Sequence, residues 1–156
     1  MKYISRSIDK TLEEWKESTT HKPLLLRGAR QVGKSSAVRH LGTQFKYFAE
    51  VNFESAKSIA TFFKGDLDVK LISSKISNYI QVPIIPGQTL LFLDEIQACP
   101  EAIMALRFFK EDYPELHVIA AGSLLEFALQ SLPTFGVGRI HSVFMYPMTF
   151  DEFLVA

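Results

Sequence analysis

The stretch that decides the fold is the octapeptide Gly28-Ala29-Arg30-Gln31-Val32-Gly33-Lys34-Ser35. It matches the pattern G-x-x-x-x-G-K-[S/T], in which a glycine-rich loop wraps a phosphate with its backbone N–H groups. An apolar run at residues 24–26 stands just before it, and a helical pattern follows from residue 33 to about residue 41. A strand that enters the loop and a helix that leaves it are the context this motif requires. The octapeptide therefore predicts nucleotide binding.

Each residue type in this loop has a physical role. Gly28 and Gly33 let the backbone approach a phosphate closely. Lys34 is predicted to reach the β- and γ-phosphates, and the Ser35 hydroxyl is predicted to bind Mg²⁺. For Arg30, a solvent-facing position is an equal alternative to phosphate binding. The predicted nucleotide-binding residues are Gly28, Ala29, Arg30, Gln31, Val32, Gly33, Lys34, Ser35 and Ser36.

A second polar signal follows an apolar run later in the chain. Leu90-Leu91-Phe92-Leu93 leads directly into Asp94 and Glu95. A buried strand cannot hold two carboxylates without a partner, and the carboxyl end of a parallel strand is the usual ligand edge of such sheets. We therefore predict that Asp94 binds Mg²⁺ and that Glu95 orients a water against the γ-phosphate. The alternative is a strand-to-helix turn with ordinary caps.

Glu95 separates classes of phosphate chemistry. A hydrolytic ATPase needs a group that orients water beside the metal carboxylate, whereas a small-molecule kinase activates its acceptor hydroxyl elsewhere. A GTPase is expected to carry Asn-Lys-x-Asp, and the chain has no such tetrapeptide. ATP hydrolysis is therefore predicted, with Lys34 and Glu95 as catalytic residues. Two alternatives stay open: a nucleotide-gated interaction module with negligible turnover and, less favoured, a small-molecule P-loop kinase.

Strand and helix patterns alternate along the chain, which is typical of a parallel sheet covered by helices on both faces. Strands are predicted at residues 23–27, 45–53, 88–93, 116–121 and 139–146. Helices are predicted at residues 6–17, 33–41, 55–64, 67–80, 100–110 and 124–132, with loops at 82–87 and 133–138. We expect one α/β domain over residues 21–156, preceded by a leader helix within residues 1–20.

Two further polar residues adjoin predicted strands at positions suited to catalysis. Ser123 follows the fourth strand and is a candidate sensor of the γ-phosphate, with a helix N-cap as its alternative. Arg139 stands in a glycine-flanked loop before the last strand. It is a candidate arginine finger for a neighbouring subunit or domain, with a surface position as its alternative. His117, His141 and Cys99 have no further ligand at metal-binding spacing, and we expect them to be structural.

Composition excludes several classes of protein. The chain has 156 residues, of which 47% are hydrophobic and 22% charged, with one cysteine and a formal net charge of zero. These values predict one soluble globular domain and exclude a disulfide scaffold or a disordered chain. The apolar runs are too short for a membrane span, and none follows the N-terminal charges. We therefore expect no membrane partner, and the cytoplasm is the expected compartment.

Charge is divided unevenly between the two halves of the chain. Residues 1–75 hold 14 Lys/Arg and 8 Asp/Glu, a balance of +6, whereas residues 76–156 hold 3 and 9, a balance of −6. A basic half suits nucleotide phosphates or nucleic acid, and the favoured alternative is that its lysines are spread over solvent-exposed helix faces. The chain has no basic cluster with interleaved aromatic residues, so nucleic acid is a partner that the sequence does not support.

These stretches together resemble the AAA-type P-loop ATPases. The resemblance is to a prokaryotic group in which the ATPase core precedes a C-terminal domain of unknown function. The matching segments are residues 28–35, 91–97, 121–123 and 138–154, of which the last is the most specific to the group. The resemblance implies a three-layer α/β/α core whose five-stranded, mainly parallel sheet has the order 5-1-4-3-2.

The resemblance also implies ATP and Mg²⁺ as cofactors and a role for each matched residue. The implied roles are phosphate and Mg²⁺ binding for Lys34 and Ser35, Mg²⁺ binding for Asp94, catalysis for Glu95, sensing for Ser123, and a finger for Arg139. The core is then expected to act as a nucleotide-driven switch or motor for an attached domain or partner. A homo-oligomer with Arg139 acting in trans is expected as well.

The last stretch of the chain predicts a further partner. The aromatic residues Phe144, Tyr146, Phe150 and Phe153 crowd it, and the helical lid that usually follows such a core is missing from the sequence. We expect a truncated chain whose missing C-terminal domain, or a protein partner, covers these aromatic side chains.

Overall fold

A computed structural model of the protein describes residues 2–130 and 138–156. In these segments the helices are α1 (Ile8–Glu17), α2 (Lys34–Gly42), α3 (Val69–Ile80), α4 (Pro100–Asp112), α5 (Leu125–Gln130) and α6 (Phe150–Val155). The strands are β1 (Leu24–Arg27), β2 (Tyr47–Asn52), β3 (Thr89–Asp94), β4 (His117–Gly122) and β5 (His141–Phe144). Short 3₁₀ helices occupy Lys57–Phe63 and Ile96–Ala98.

The five strands form one sheet in the order β2-β3-β4-β1-β5. Each neighbouring pair is parallel: Leu24 of β1 lies opposite Ile119 of β4 and His141 of β5, and Leu90 of β3 lies opposite His117. Read from the other side, this is the order 5-1-4-3-2, so the predicted three-layer α/β/α fold is confirmed. We call the edge where all five strands end the carboxyl edge, and the opposite one the amino edge.

Successive strand residues pack into two apolar layers, because side chains alternate across a strand. Leu25, Leu91 and Val118 join the layer beneath α3 and α4. Leu24 and Leu90 join the layer beneath α1 and α2. Burial of one leucine side chain contributes about 1.5–3 kcal/mol. Burial on both faces also explains why β3 reads as a continuous apolar run.

Helix α1 packs on the sheet through one face. Leu12 and Trp15 lie three residues apart, on the same side of the helix, and both are buried. Trp15 Nε1 donates a hydrogen bond of 2.6 Å to the carbonyl oxygen of Lys22. The leader helix thus contributes directly to the core layer beneath α2.

The two edge strands, β2 and β5, are several residues shorter than predicted. β5 is shorter than the predicted residues 139–146, because its neighbour β1 offers only four residues for pairing. β2 is shorter than the predicted residues 45–53 and ends level with β3, where Asn52 lies opposite Asp94. In both cases the neighbouring strand sets the length, and a single-strand pattern does not contain that information.

Two predicted helices also differ from the helices that the structure contains. The segment predicted as helix at residues 55–64 is a 3₁₀ helix at its centre. The helix predicted at residues 124–132 begins at Leu125, because Leu124 has a left-handed backbone with φ +54°. Residues 131–137, with the end of that helix and most of the loop at 133–138, lie outside the described residues.

Helix length bears on membrane insertion. α4 has 13 residues, whereas a transmembrane helix needs about 20. Across the two described segments, no helix combines the length and apolar character that a membrane span requires.

Candidate nucleotide-binding site

The predicted phosphate-binding residues lie at the carboxyl edge of the sheet. Residues 28–33 leave β1 and lead into α2. Arg27, which ends β1, lies opposite Gly122 of β4, and Asp94 ends the strand on the other side of β4. The fold therefore brings the loop, Asp94 and Ser123 to one edge, although they are far apart in the sequence.

Geometry requires both glycines of the loop. Gly33 has φ +100°, a left-handed conformation that strains residues with a Cβ. A Cβ at Gly28 would lie 2.5 Å from the carbonyl oxygen of Met145, which is closer than real Cβ contacts come. A side chain at either position would shift the loop. At the loop tip, Ala29, Arg30 and Gln31 are exposed, whereas Val32 is buried in the layer beneath α1 and α2.

Lys34 is buried, with 9% of its surface exposed. Its ammonium donates hydrogen bonds of 2.9 Å to the Gly28 carbonyl and 2.6 Å to the Ala29 carbonyl. Burial lowers the pKa of Lys34, although the carboxylates of Glu95 and Asp94 favour its charged form. The loop carbonyls carry only partial charge, so phosphate oxygens would be stronger partners for this ammonium.

Ser35 and Asp94 form the predicted metal-binding pair. The Ser35 hydroxyl donates to Asp94 Oδ2 at 2.7 Å, and the backbone N–H of Glu95 donates to Oδ1 at 2.9 Å. Burial raises the pKa of Asp94, although these hydrogen bonds favour its carboxylate. A hydroxyl and a carboxylate are oxygen ligands that Mg²⁺ accepts together with phosphates and water. The pair therefore fits Mg²⁺, whose charge would offset the cost of burying Asp94.

Glu95 adopts an uncommon backbone conformation beside this pair. Its φ is +52°, in the left-handed region that few residues with a Cβ adopt. Its Oε2 accepts a hydrogen bond of 2.6 Å from Gln97 Nε2. The amide oxygen Oε1 of Gln97 is buried and has no hydrogen-bond partner among the described residues. The sequence analysis assigns no role to Gln97, although Gln97 ends the segment 91–97 that resembles the AAA-type ATPases.

Ser123 and Arg30 lie in different environments. Ser123 is buried one residue past the end of β4, at the same edge as Asp94. Arg30 is exposed, and its Nη2 lies 3.7 Å from Glu54 Oε1. The sensor role of Ser123 and the nucleotide-binding role of Arg30 stay predictions.

Arg139 lies at the amino edge, away from the phosphate-binding loop. It precedes β5, and its Nε lies 2.6 Å from Glu111 Oε1 near the end of α4. Because all five strands are parallel, the start of β5 and the loop after β1 are at opposite edges. Arg139 therefore does not reach the loop of its own chain, and a finger role toward a neighbouring subunit stays a prediction.

A cavity of about 480 Å³ adjoins the loop where α2 begins. Its lining includes Tyr3, Gly33, Ser36, His40 and Met148. The rings of Tyr3 and His40 stack with centroids 3.9 Å apart and an interplanar angle of 11°. Aromatic and thioether surfaces of this kind suit a nucleobase. Sequence reasoning misses Tyr3, because it precedes the helical pattern and belongs to no motif.

The sequence predicts structural roles for His117, His141 and Cys99. The ring of His117 stacks on that of His21 at 3.9 Å, and its Nε2 lies 3.0 Å from the Lys16 carbonyl oxygen. His141 begins β5 and is exposed. Cys99 is buried, and burial raises the pKa of its thiol to about 11, which keeps it unreactive.

The comparisons with known proteins bear on the family and the fold. A family model described as an AAA domain matches residues 20–154. No curated protein shows a significant match to the chain.

Solved structures share the fold. The ORC1 protein of Aeropyrum pernix in complex with DNA is 16% identical, with a TM-score of 0.58 over 93% of this chain and 44% of that one. Drosophila ORC bound to DNA is 14% identical, with a TM-score of 0.60 over 92% of this chain and 43% of that one. This chain thus spans less than half the length of either. Together with the site geometry, the family match over residues 20–154 leads to one conclusion: the chain belongs to the AAA domain family and is a nucleotide-binding AAA-type core.

Proposed function

We propose that this protein binds ATP with Mg²⁺ and hydrolyses it, and that hydrolysis drives a conformational switch in an attached domain or partner. The observation that carries the proposal is the 2.7 Å hydrogen bond between the Ser35 hydroxyl and Asp94. It joins the phosphate-binding loop to the acidic end of β3, next to Lys34 and Glu95. Phosphate, metal and water-orienting groups are then available at one place.

Different residues of the chain have different roles in the proposed hydrolysis. Lys34 and the loop N–H groups stabilise the negative charge that develops on the phosphate oxygens. Ser35 and Asp94 would hold Mg²⁺, which supplies further positive charge to the β- and γ-phosphates when bound. Glu95 accepts a hydrogen bond from the attacking water and aims it at the γ-phosphate. Ser123 is proposed to contact the γ-phosphate from the end of β4.

The cavity beside α2 supports the binding of a nucleotide with its base. It adjoins Gly33, where the loop enters α2, and offers the aromatic surface of Tyr3 and His40. A base lying there would leave its phosphates within reach of the loop. Binding in this cavity would also bury part of the base, which contributes affinity beyond that of the phosphates.

A second candidate function is a nucleotide-gated interaction module with negligible turnover. The hydrogen bond from Gln97 to Glu95 favours it, because it holds the Glu95 side chain through Oε2 and leaves only Oε1 without this contact. A small-molecule P-loop kinase has no such support. Consumption of ATP without an acceptor would speak against a kinase, and tight binding without phosphate release would favour the module.

The proposal includes two kinds of partner. One is a second copy of this chain, and the other is a domain or protein that covers the aromatic side chains near the end of the chain. Arg139 is half-exposed at the amino edge, which suits a finger that reaches the site of a second copy in trans. Tyr146, Phe150 and Phe153 expose 68%, 71% and 65% of their surface, which supports coverage by an attached domain or a partner protein. Nucleic acid has no comparable support among the described residues.

The test is phosphate release from Mg·ATP, measured over a range of protein concentrations for the wild type and Glu95→Gln. Glu95→Gln keeps the shape of the site but loses the base, so we expect ATP binding to persist and release to fall about 100-fold. Glu115→Gln, an exposed carboxylate just before β4, is the matched control and should leave the rate unchanged.

Three outcomes decide between the readings. Turnover by Glu95→Gln at the wild-type rate would remove Glu95 from the mechanism. A specific rate that rises with protein concentration would support Arg139 acting in trans, and a flat rate would contradict it. A wild type that binds ATP and releases no phosphate would leave the interaction module.

A further inference from the structure

The side chain of Arg6 joins three separate parts of the molecule. Its Nη1 donates a hydrogen bond of 2.7 Å to the carbonyl oxygen of Val32 in the phosphate-binding loop. Its Nη2 donates one of 3.0 Å to the carbonyl oxygen of Tyr146, which follows β5. Its Nε lies 3.3 Å from Glu152 Oε2 on α6. The guanidinium thus connects the N-terminal segment, the loop and the C-terminal helix.

The contacts of Arg6 with Glu152 and with the phosphate-binding loop are close and shielded from solvent. The side chains of Arg6 and Glu152 expose only 9% and 10% of their surface. A Cβ at Gly33 would lie 2.9 Å from Arg6 Nη1, so the guanidinium packs directly against the glycine of the loop. An ion pair so little exposed is weakly screened by salt, unlike the exposed pairs elsewhere on the surface.

Glu152 is itself held in place. Its Oε1 accepts hydrogen bonds of 2.7 Å from the backbone N–H and from the hydroxyl of Ser7, and its Oε2 accepts one of 2.7 Å from the N–H of Thr149. These contacts, of which the backbone N–H groups of Ser7 and Thr149 matter most, lower the pKa of Glu152 to about 2. Glu152 therefore stays ionised at neutral pH and keeps its charge toward Arg6.

The contact with Val32 bears on phosphate binding through the peptide bond. A trans peptide points its C=O and the N–H of the next residue in opposite directions. When Arg6 holds the Val32 carbonyl, it also sets the direction of the Gly33 N–H, one of the donors that a bound phosphate needs. Gly33 cannot hold that direction alone, because a glycine backbone without a Cβ is freer than that of other residues.

We propose that Arg6 is a positioning residue that, together with Glu152, couples the phosphate-binding loop to helix α6, so that nucleotide binding and the docking of α6 stabilise each other. The inference rests on the proposed function, since a nucleotide is the ligand of the loop. Coupling of this kind is reciprocal: a nucleotide that favours the ordered loop also favours α6 in its docked position. Whatever follows or binds α6 would then sense the occupancy of the loop.

The first measurement is the affinity for Mg·ADP by titration calorimetry, in the wild type, Arg6→Gln, Glu152→Gln and the double variant. Coupling between sites typically changes affinity 5- to 150-fold, so we expect each single variant to bind about 10-fold more weakly. The double variant should bind no more weakly than Arg6→Gln, because both changes break the same bridge. Lys10→Gln and Glu14→Gln, an exposed pair on α1, are the matched controls and should bind normally.

The second measurement is amide hydrogen exchange at residues 150–155 with and without Mg·ADP. In the wild type, Mg·ADP should slow exchange in α6, whereas in Arg6→Gln the exchange should be insensitive to nucleotide. A change in fold alone would not remove this nucleotide dependence selectively. Arg6→Lys keeps the charge but loses the planar fork, and it serves as a second variant if Arg6→Gln does not fold.

The outcomes separate this inference from the proposed function. If folded Arg6→Gln and Arg6→Lys bind Mg·ADP as the wild type does, the coupling is wrong while nucleotide binding stands. Additive losses in the double variant, or exchange in α6 that ignores Mg·ADP in the wild type, would also overturn it. If the wild type binds neither Mg·ADP nor Mg·ATP, the proposed function fails, and the coupling fails with it.

Discussion

Buried ionisable side chains lie at both edges of the sheet, and burial shifts the pKa of Lys34, Asp94 and His117 toward the neutral form of each group. At the carboxyl edge burial lowers the pKa of Lys34 and raises that of Asp94. At the amino edge burial lowers the pKa of His117. The same physical cause therefore acts at the nucleotide-binding site and on His117, for which no chemistry is proposed.

The two edges differ in whether a ligand could offset the free-energy cost of burying these ionisable groups. Lys34 and Asp94 have opposite charges and would each be stabilised by a component of Mg·ATP, a phosphate oxygen or the metal ion. His117 is surrounded by rings, with His21 at 3.9 Å and Trp15 at 5.2 Å, and these rings offer no charge complementary to a ligand. A shifted pKa thus marks a site only where the neighbouring groups are complementary to a ligand.

Replacement of Lys34 should have the largest effect, which we expect on the affinity for Mg·ATP. Lys34→Met removes the ammonium that meets the phosphates, so we expect Mg·ATP affinity to fall about 100-fold or more, measured by titration calorimetry. Because the variant also removes a buried charge, its thermal stability should not fall. Lys16→Met, near the amino edge, is the comparison variant and should bind normally. Equal losses in both variants would contradict the distinction between the edges.

Replacement of Gln97 should have a smaller effect, limited to the rate of phosphate release. Gln97→Ala removes the hydrogen bond to Glu95 Oε2, so we expect Glu95 to be freed and the kcat for phosphate release to rise about threefold. The KM for Mg·ATP should stay the same, because Gln97 does not touch the loop. A fall in kcat would instead show that the Gln97 amide holds Glu95 in its working position.

Acidification should have the smallest effect, which is a loss of folding stability caused by His117 at the amino edge. The folded protein lowers the pKa of His117 below its ordinary 6.5, so the unfolded chain binds the extra proton more readily. The contribution of His117 to stability is therefore present in full above pH 6.5 and declines as the pH falls below it. Urea unfolding from pH 7.5 to 5 would measure this slope. His117→Phe should flatten it, and an unchanged slope would assign the dependence to another group.

The strand pattern predicted a parallel sheet but not the strand lengths, and the strand order was implied only by the resemblance to the AAA-type ATPases. Leu90, Leu91 and Val118 form apolar runs that predict central parallel strands, because such strands are buried on both faces. The length of β5 depends on its pairing with β1, and the pattern of residues 139–146 does not contain that limit. The 3₁₀ helix at Lys57–Phe63 has apolar spacing close to that of an α-helix, so periodicity alone does not separate the two.

The candidate site was partly predictable, for a physical reason. The loop residues Gly33 and Lys34 and the acidic residue Asp94 belong to local patterns whose chemistry depends on neighbours in sequence. Gln97 and Arg6 belong to no such pattern, since each acts through a contact with one particular side chain or carbonyl group. Such contacts become visible only when the folded chain supplies the partner.

The sequence by itself determined the phosphate-binding loop, the acidic end of β3 and the alternation of strands and helices. All three are local, because backbone conformation and side-chain alternation are set within a few residues. The tertiary structure alone decided that Arg139 lies at the amino edge, and that Ser7 and Glu152, 145 positions apart, meet beside Arg6. Those placements depend on how the strands order themselves in the sheet, and that order follows from packing of the whole core.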